Sequence, residues 1–290
     1  MINYKTVFED LVNSLKCYVV DNGLESLVLG ISGGIDSTVV SAIAHEVSKD
    51  LGIPFIGRSI TIKNKKEESD TSSLVGHAFC TDFRKLGYGN MFERLITFTD
   101  IEKSFYQTKN KIGDIDFKDP IALGNIQARV RMIHLYYLAG IRRGIVLSTD
   151  NRVEWLLGFW TIHGDVGDFN PLFGLYKTEV YGLAEYLLEY YKDDETKTEA
   201  IIKSISLVPT DGLGISNSDL EQIGANSYGD VENILKTYLG SNKNREKTIR
   251  DLKNNIKQDV IEKVIDRHER SEFKRKALPI VIDRKTNWFK

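Results

Sequence analysis

The run Gly30-Ile31-Ser32-Gly33-Gly34-Ile35-Asp36-Ser37 packs glycines, hydroxyls and one carboxylate into a short stretch. Gly33 and Gly34 would let backbone N–H groups approach a polyphosphate without a Cβ in the way. Ser32 and Ser37 add hydroxyl donors, and a helix starting after Asp36 favours negative charge. A carboxylate beside phosphates is repelled unless a cation stands between them, so Asp36 points to Mg2+. The competing reading of a lone glycine pair is an ordinary turn, with Asp36 as a helix cap. The run is not a Walker A loop, because the G-x-x-x-x-G-K-[ST] pattern and its lysine are missing.

The elements around this run favour the phosphate reading. Residues 25–31 form a short apolar stretch suited to a strand, and the stretch after Gly34 has helical apolar spacing, giving strand, glycine turn, helix. A second strand is expected from Ile53 to Ile62 and a third from Gly144 to Ser148, after a long helix from about Asn125 to Gly140. Parallel strands separated by helices predict a doubly wound, mostly parallel α/β sheet with its site at the strand C-termini. Val7, Leu11, Leu15 and Val19 mark one face of an opening helix. Residues 63–121 alternate polar runs with helical fragments and suggest loops. From Lys177 the pattern is helical, and two further helical patterns follow in the C-terminal third. With no internal repeat or linker, residues 1–290 are expected to form a single domain with helical C-terminal additions.

Composition narrows the function classes. The 290 residues are 41% hydrophobic with a formal net charge of −2, enough for a sizeable core and without the basic excess that bulk nucleic-acid or membrane binding requires. Only Cys17 and Cys80 occur, so neither a disulfide scaffold nor a spaced cysteine metal site is expected, and Cys17 sits in an apolar helical pattern that suits packing. The opening residues carry Glu9 and Asp10 and lack a signal-peptide core, and a cytoplasmic protein without membrane spans is expected.

The phosphate-loop motif resembles the S-G-G-x-D-S loop of the ATP pyrophosphatases, which cleave ATP between its α and β phosphates and so adenylate a substrate. Three downstream segments resemble the NAD synthetase branch. Gly124-Asn125-Ile126-Gln127-Ala128-Arg129-Val130-Arg131-Met132 is similar to its G-N-x-x-A-R-x-R-M segment. Thr149-Asp150-Asn151-Arg152-Val153-Glu154 and the following Gly158-Phe159 and Gly164–Leu172 are similar to its G-T-D-x-x-E…G-F…G-D-G block. Leu175–Val180 and His268–Arg275 are similar to its lysine segment and its terminal H-K-R segment.

The resemblance implies an adenine nucleotide alpha hydrolase-like fold and a set of site residues. Gly30, Ser32, Gly33, Gly34, Asp36, Ser37, Arg58, Thr149, Lys177 and Thr210 would bind ATP. Asp36 and Glu154 would hold Mg2+, Lys177 would reach the phosphates, and Lys274 would stabilise charge on the adenylate or pyrophosphate. Asn125, Arg129, Tyr136, Asp165 and Lys274 would contact the acid. Asn125 and Arg129 lie four apart on one helix, which suits a common ligand, whereas Arg131, Arg142 and Arg143 are read as solvated.

The implied reaction is ATP-dependent amidation of nicotinic acid adenine dinucleotide (deamido-NAD) by ammonia, with AMP and pyrophosphate released. No glutaminase domain is expected, and a homodimer is implied. This chain departs from the family pattern at Val166, Phe273 and the segment after Thr210. Two alternatives stay open: another adenylating ATP pyrophosphatase, such as a tRNA-modifying enzyme or an amidotransferase synthetase subunit, and a catalytically silent nucleotide-binding homologue.

Overall fold

The computed structural model describes residues 2–62, 65–108, 116, 118–209 and 218–276. Its centre is a four-stranded sheet in the order β3-β2-β1-β4, formed by β1 (Ser26–Gly30), β2 (Phe55–Thr61), β3 (Asp82–Gly87) and β4 (Gly144–Val146). Every pairing is parallel, with Val28 opposite both Ile56 and Val146, and Gly30 opposite Arg58. Parallel neighbours need crossovers, and helices supply them. The opening α1 (Tyr4–Asp21) precedes β1, α2 (Ile35–Leu51) joins β1 to β2, and α3 (Lys66–Phe79) joins β2 to β3. Among the described residues, the helices α4 (Gly89–Leu95), α5 (Phe98–Thr108) and α6 (Pro120–Ile141) lead to β4.

The central strand shows why the sheet is covered on both faces. Leu27 and Leu29 point into one core with Val39 and Ile43 of α2 and with Leu183 of α8 (Lys177–Tyr190). Val28 points the other way, with Ile56 and Val146, onto Met132, Leu135 and Ala139 of α6. A strand buried on both sides reads as a continuous apolar run, as SLVLG does.

A separate core lies among the later helices, where Val153 and Leu157 of α7 (Arg152–Leu157) meet Ile234, Ile261 and Val264. Among the described residues, the helices after α8 are α9 (Glu195–Ser206), α10 (Asp219–Ile223), α11 (Tyr228–Gly240), α12 (Arg245–Leu252) and α13 (Gln258–Arg270), followed by a 3-10 turn at Glu272–Arg275.

Three expectations need correction. Residues 63–121 hold α3, β3, α4 and α5 among their described positions, rather than chiefly loops. The polar run before β3 begins α3, and β3 itself is a half-exposed edge strand whose Arg84 and Lys85 face solvent, which hides it from an apolar-run reading. The buried stripe of α1 is Phe8, Val12, Leu15 and Val19, with Val7 and Leu11 at its flank. Cys17 is exposed and not packed, whereas burial pushes the Cys80 thiol up to about 12. Among the described residues no helix is long and apolar enough to cross a membrane.

Candidate active site

A cavity of about 550 Å³ opens at the C-terminal ends of β1, β2 and β4. That is where strand ends leave helix N-termini and loops free to converge on a ligand. Gly30, Ser32, Gly34, Asp36 and Ser37 line it from the first loop, Arg58 from β2, and Thr149 and Glu154 from the chain after β4. Asn125 enters from α6, and Asp165, Lys177 and Lys274 from later segments. Thr210 lies outside the described residues.

The loop after β1 is held by its own hydroxyls. Ser32 Oγ donates to Ser37 Oγ at 3.0 Å and accepts from Gly34 N–H at 3.2 Å, while Ser37 Oγ also donates to the Gly34 carbonyl at 3.1 Å. Gly33 does not reach the cavity wall. It turns under the loop at φ 87°, and a Cβ there would meet Ser72 N of α3 at 2.6 Å. Its glycine identity therefore serves the turn and the fit of loop against α3, and phosphate access falls to Gly34.

At the floor, Lys177 is 1% exposed and its ammonium lies between two carboxylates. It forms a short ion pair with Asp36 Oδ2 and stands 3.1 Å from Glu154 Oε1. The other oxygen of each carboxylate is engaged by Asn151, whose Nδ2 donates to Asp36 Oδ1 at 2.9 Å and whose backbone N–H donates to Glu154 Oε2 at 3.1 Å. Burial and the neighbouring Asp36 push the Glu154 carboxyl up to about 8, with Lys177 opposing them.

Two carboxylates aimed at one point already held by a cation suit a hard divalent ion such as Mg2+. That ion is commonly held by one or two carboxylates, with phosphate oxygens and water completing its shell. Among the described residues no group of three or more His, Cys, Asp or Glu gathers for a protein-only metal cage.

The opposite wall is built by α6 and the 158–170 segment. Asn125 Oδ1 accepts from Thr161 Oγ1 at 2.7 Å, and Asp165 Oδ1 accepts from Thr161 N–H at 2.6 Å. Lys274 donates to the carbonyls of Gly158, at 2.7 Å, and Trp160. Burial lowers the Lys274 ammonium and Asp165 partly restores it. The replacement at Phe273 thus leaves the lysine on the cavity wall.

Arg58 lines the cavity, yet its buried guanidinium is engaged by Asp82 at 3.0 and 3.1 Å and by the Gly57 and Asp82 carbonyls. Its placement suits a wall residue whose charge is already paired.

Besides Gly33, three residues lie elsewhere than the sequence reading put them. Arg129 is exposed, donates to the Ile162 carbonyl at 3.1 Å and stands away from the cavity wall that Asn125 lines. Tyr136 also lies outside, donating to Asp168 Oδ1 at 2.7 Å on the exposed side of α6. Arg131, read as solvated, instead lines the cavity and donates from Nε to the Ile60 carbonyl at 3.2 Å. Helix geometry separates the two arginines, because residues two apart point about 200° apart. Arg142 and Arg143 are exposed as expected.

Sequence reasoning also passed over Asp150 and Asn151. Asp150 is 6% exposed, lines the cavity and accepts from Ser148 Oγ, and burial with Asp165 nearby pushes its carboxyl up to about 7. The signal for Asn151 was the Asn-x-x-Glu spacing of a capping box, which the structure forms at the start of α7.

Comparison with known proteins bears on this arrangement. The family model for NAD synthase matches residues 7–278. The NH(3)-dependent NAD(+) synthetase of Thermoplasma volcanium is 31% identical over 280 residues, covering 95% of this chain and 97% of that protein. The glutamine-dependent NAD(+) synthetase of Aquifex aeolicus is 30% identical over 276 residues, 94% of this chain, which spans 44% of that longer protein. In fold, the chain is similar to the solved NMN synthetase from Francisella tularensis, with a TM-score of 0.73 at 23% identity and coverage of 97% and 99% of the two chains.

Proposed function

The chain belongs to the NAD synthase family, and on that premise we propose that it makes NAD from deamido-NAD, ATP and ammonia through an adenylate. The observation that carries this reading is the pair Asp36 and Glu154, presented to one cation position beside the Ser32–Ser37 loop.

A carboxylate resists amidation because oxide is a poor leaving group. In the proposed first step the acid's carboxylate oxygen attacks the α-phosphorus of ATP, an O–P bond forms, and the bond to the bridging oxygen breaks as pyrophosphate leaves. Ser32, Gly34 and Ser37, which line the cavity with Lys177, would hold the pyrophosphate, and Lys177 would follow its charge. Mg2+, held by Asp36 and Glu154, would neutralise phosphate oxygens. Ammonia then attacks the acyl carbon, the C–N bond forms, AMP departs with the C–O electron pair, and the nitrogen sheds a proton. Lys274 and Asn125 line the wall where the acid would lie, and Thr149 and Arg58 the wall nearer the nucleotide.

The proposed unit is residues 1–290 acting as one domain in a cytoplasmic homodimer. Ile133, Tyr137 and Ile141 are 71%, 63% and 58% exposed on α6 beside Arg129 and Tyr136. A second copy covering that face would bring these two residues into use for the dinucleotide. Their position outside the single-chain cavity also favours a second reading, in which the acid is the mononucleotide, as the name of the Francisella NMN synthetase suggests for that protein.

The test is to incubate the protein with ATP, Mg2+, ammonium and either acid. Amide product equimolar with AMP from deamido-NAD supports the first reading, and from the mononucleotide alone the second. ATP turnover with neither acid contradicts both.

A further inference from the structure

Asp36 comes from the start of α2 and Glu154 from the first turn of α7, two segments 118 positions apart in sequence that must nevertheless present their oxygens to one point. Four hydrogen bonds converge on the residue between them. Asn151 is fully buried, and its Oδ1 accepts from the backbone N–H groups of Val153 at 3.0 Å and Glu154 at 3.1 Å, capping α7. Those two bonds fix the amide plane, and its Nδ2 is thereby turned to donate to Asp36 Oδ1 at 2.9 Å. The Asn151 backbone N–H closes the box by donating to Glu154 Oε2 at 3.1 Å.

The consequence is a division of labour among four oxygens. Asp36 Oδ1 and Glu154 Oε2 are occupied by Asn151, which leaves Asp36 Oδ2 and Glu154 Oε1 to face a common cation, the place the Lys177 ammonium takes. The Nδ2 donor holds Asp36 Oδ1 and so turns Oδ2 inward, and a carboxylate free to rotate holds a metal less well.

We propose that Asn151 is the positioning residue for the divalent cation of this site, joining the α7 cap to the Asp36 carboxylate so that Asp36 and Glu154 act as one paired ligand. This rests on the reading that these two carboxylates hold the metal.

The test uses Asn151→Ser, which keeps an oxygen to cap α7 but is too short to donate to Asp36. Mn2+ binding is measured directly by electron paramagnetic resonance on the full chain with a non-hydrolysable ATP analogue, alongside thermal melting. Asp36→Asn and Glu154→Gln serve as controls. The expected result is a Mn2+ affinity lower by about 10-fold or more in Asn151→Ser, in the range for partners that orient metal ligands, with melting close to that of the unaltered protein. An unchanged Mn2+ affinity in Asn151→Ser, with both carboxylate controls weakened, overturns the positioning role. Unchanged affinity in the two controls instead overturns the metal assignment itself. Should the serine variant lose its cooperative melting transition, Asn151→Thr, which also caps without reaching Asp36, is read in its place by the same criteria.

Discussion

The ammonium of Lys177 stands 3.1 Å from Glu154 Oε1 while also paired to Asp36, so one buried lysine satisfies both carboxylates that the proposed chemistry gives to magnesium. A divalent ion and this ammonium cannot share the point. Removing the lysine charge should leave two buried carboxylates in need of a cation. Lys177→Met is therefore expected to bind Mn2+ without nucleotide about 10-fold or more tightly than the unaltered protein, a shift on the order of 1.4 kcal/mol. Calorimetric titration checks this, and equal affinities would remove the lysine from the cation position. NAD formation by the same variant should fall steeply, because the phosphates lose their lysine partner.

Gly33→Ala should damage stability before chemistry. The residue sits at φ 87°, a backbone region that costs an L-residue about 1–2 kcal/mol, and its Cβ would meet the Ser72 backbone at 2.6 Å. The melting temperature should drop by several degrees or more. Gly34→Ala should differ, since among the described residues its added Cβ meets only the Ser32 hydroxyl, at 3.4 Å. That variant should keep most of its stability and lose ATP affinity, as read by the KM for ATP.

Asp150 gives a pH signature of known sign. Its folded carboxyl is raised to about 7 from 3.8, chiefly by burial, so between those values the folded chain holds a proton that the unfolded chain has released. Stability from this group is present at low pH and is lost as pH rises through that window. Asp150→Asn removes the titration, so its urea midpoint should gain on the unaltered protein's as pH is raised from 5 to 7.5. Parallel pH profiles for the two proteins would contradict the buried, proton-holding state.

What the sequence made legible follows from local rules. The strand, glycine turn and helix around Ser32–Ser37 are encoded by neighbouring residues, and collinear motifs nominated Asp36, Glu154 and Lys177, which the fold does bring together. Rotation about a helix was harder to read. Arg129 and Arg131 are both in the α6 motif, but packing of Met132 and Leu135 on the sheet decides that Arg131 faces the cavity and Arg129 the outside. The edge strand β3 escaped notice because only one of its neighbours is a strand and its side chains are half wet. Asn151 carries no role that the sequence alone declares, because its amide gains Asp36 as a partner through tertiary approach.

The central claim is that Asp36 and Glu154 act together on a cation that serves adenylation of the acid. The most direct measurement follows AMP and NAD from ATP, ammonium, Mg2+ and deamido-NAD with the unaltered protein, Asp36→Asn and Glu154→Gln. The account predicts NAD and AMP in equal amounts from the unaltered protein and a loss of about 100-fold or more in each variant, the size expected when charge stabilisation of a transition state is removed. Full NAD synthesis by either folded variant would contradict it.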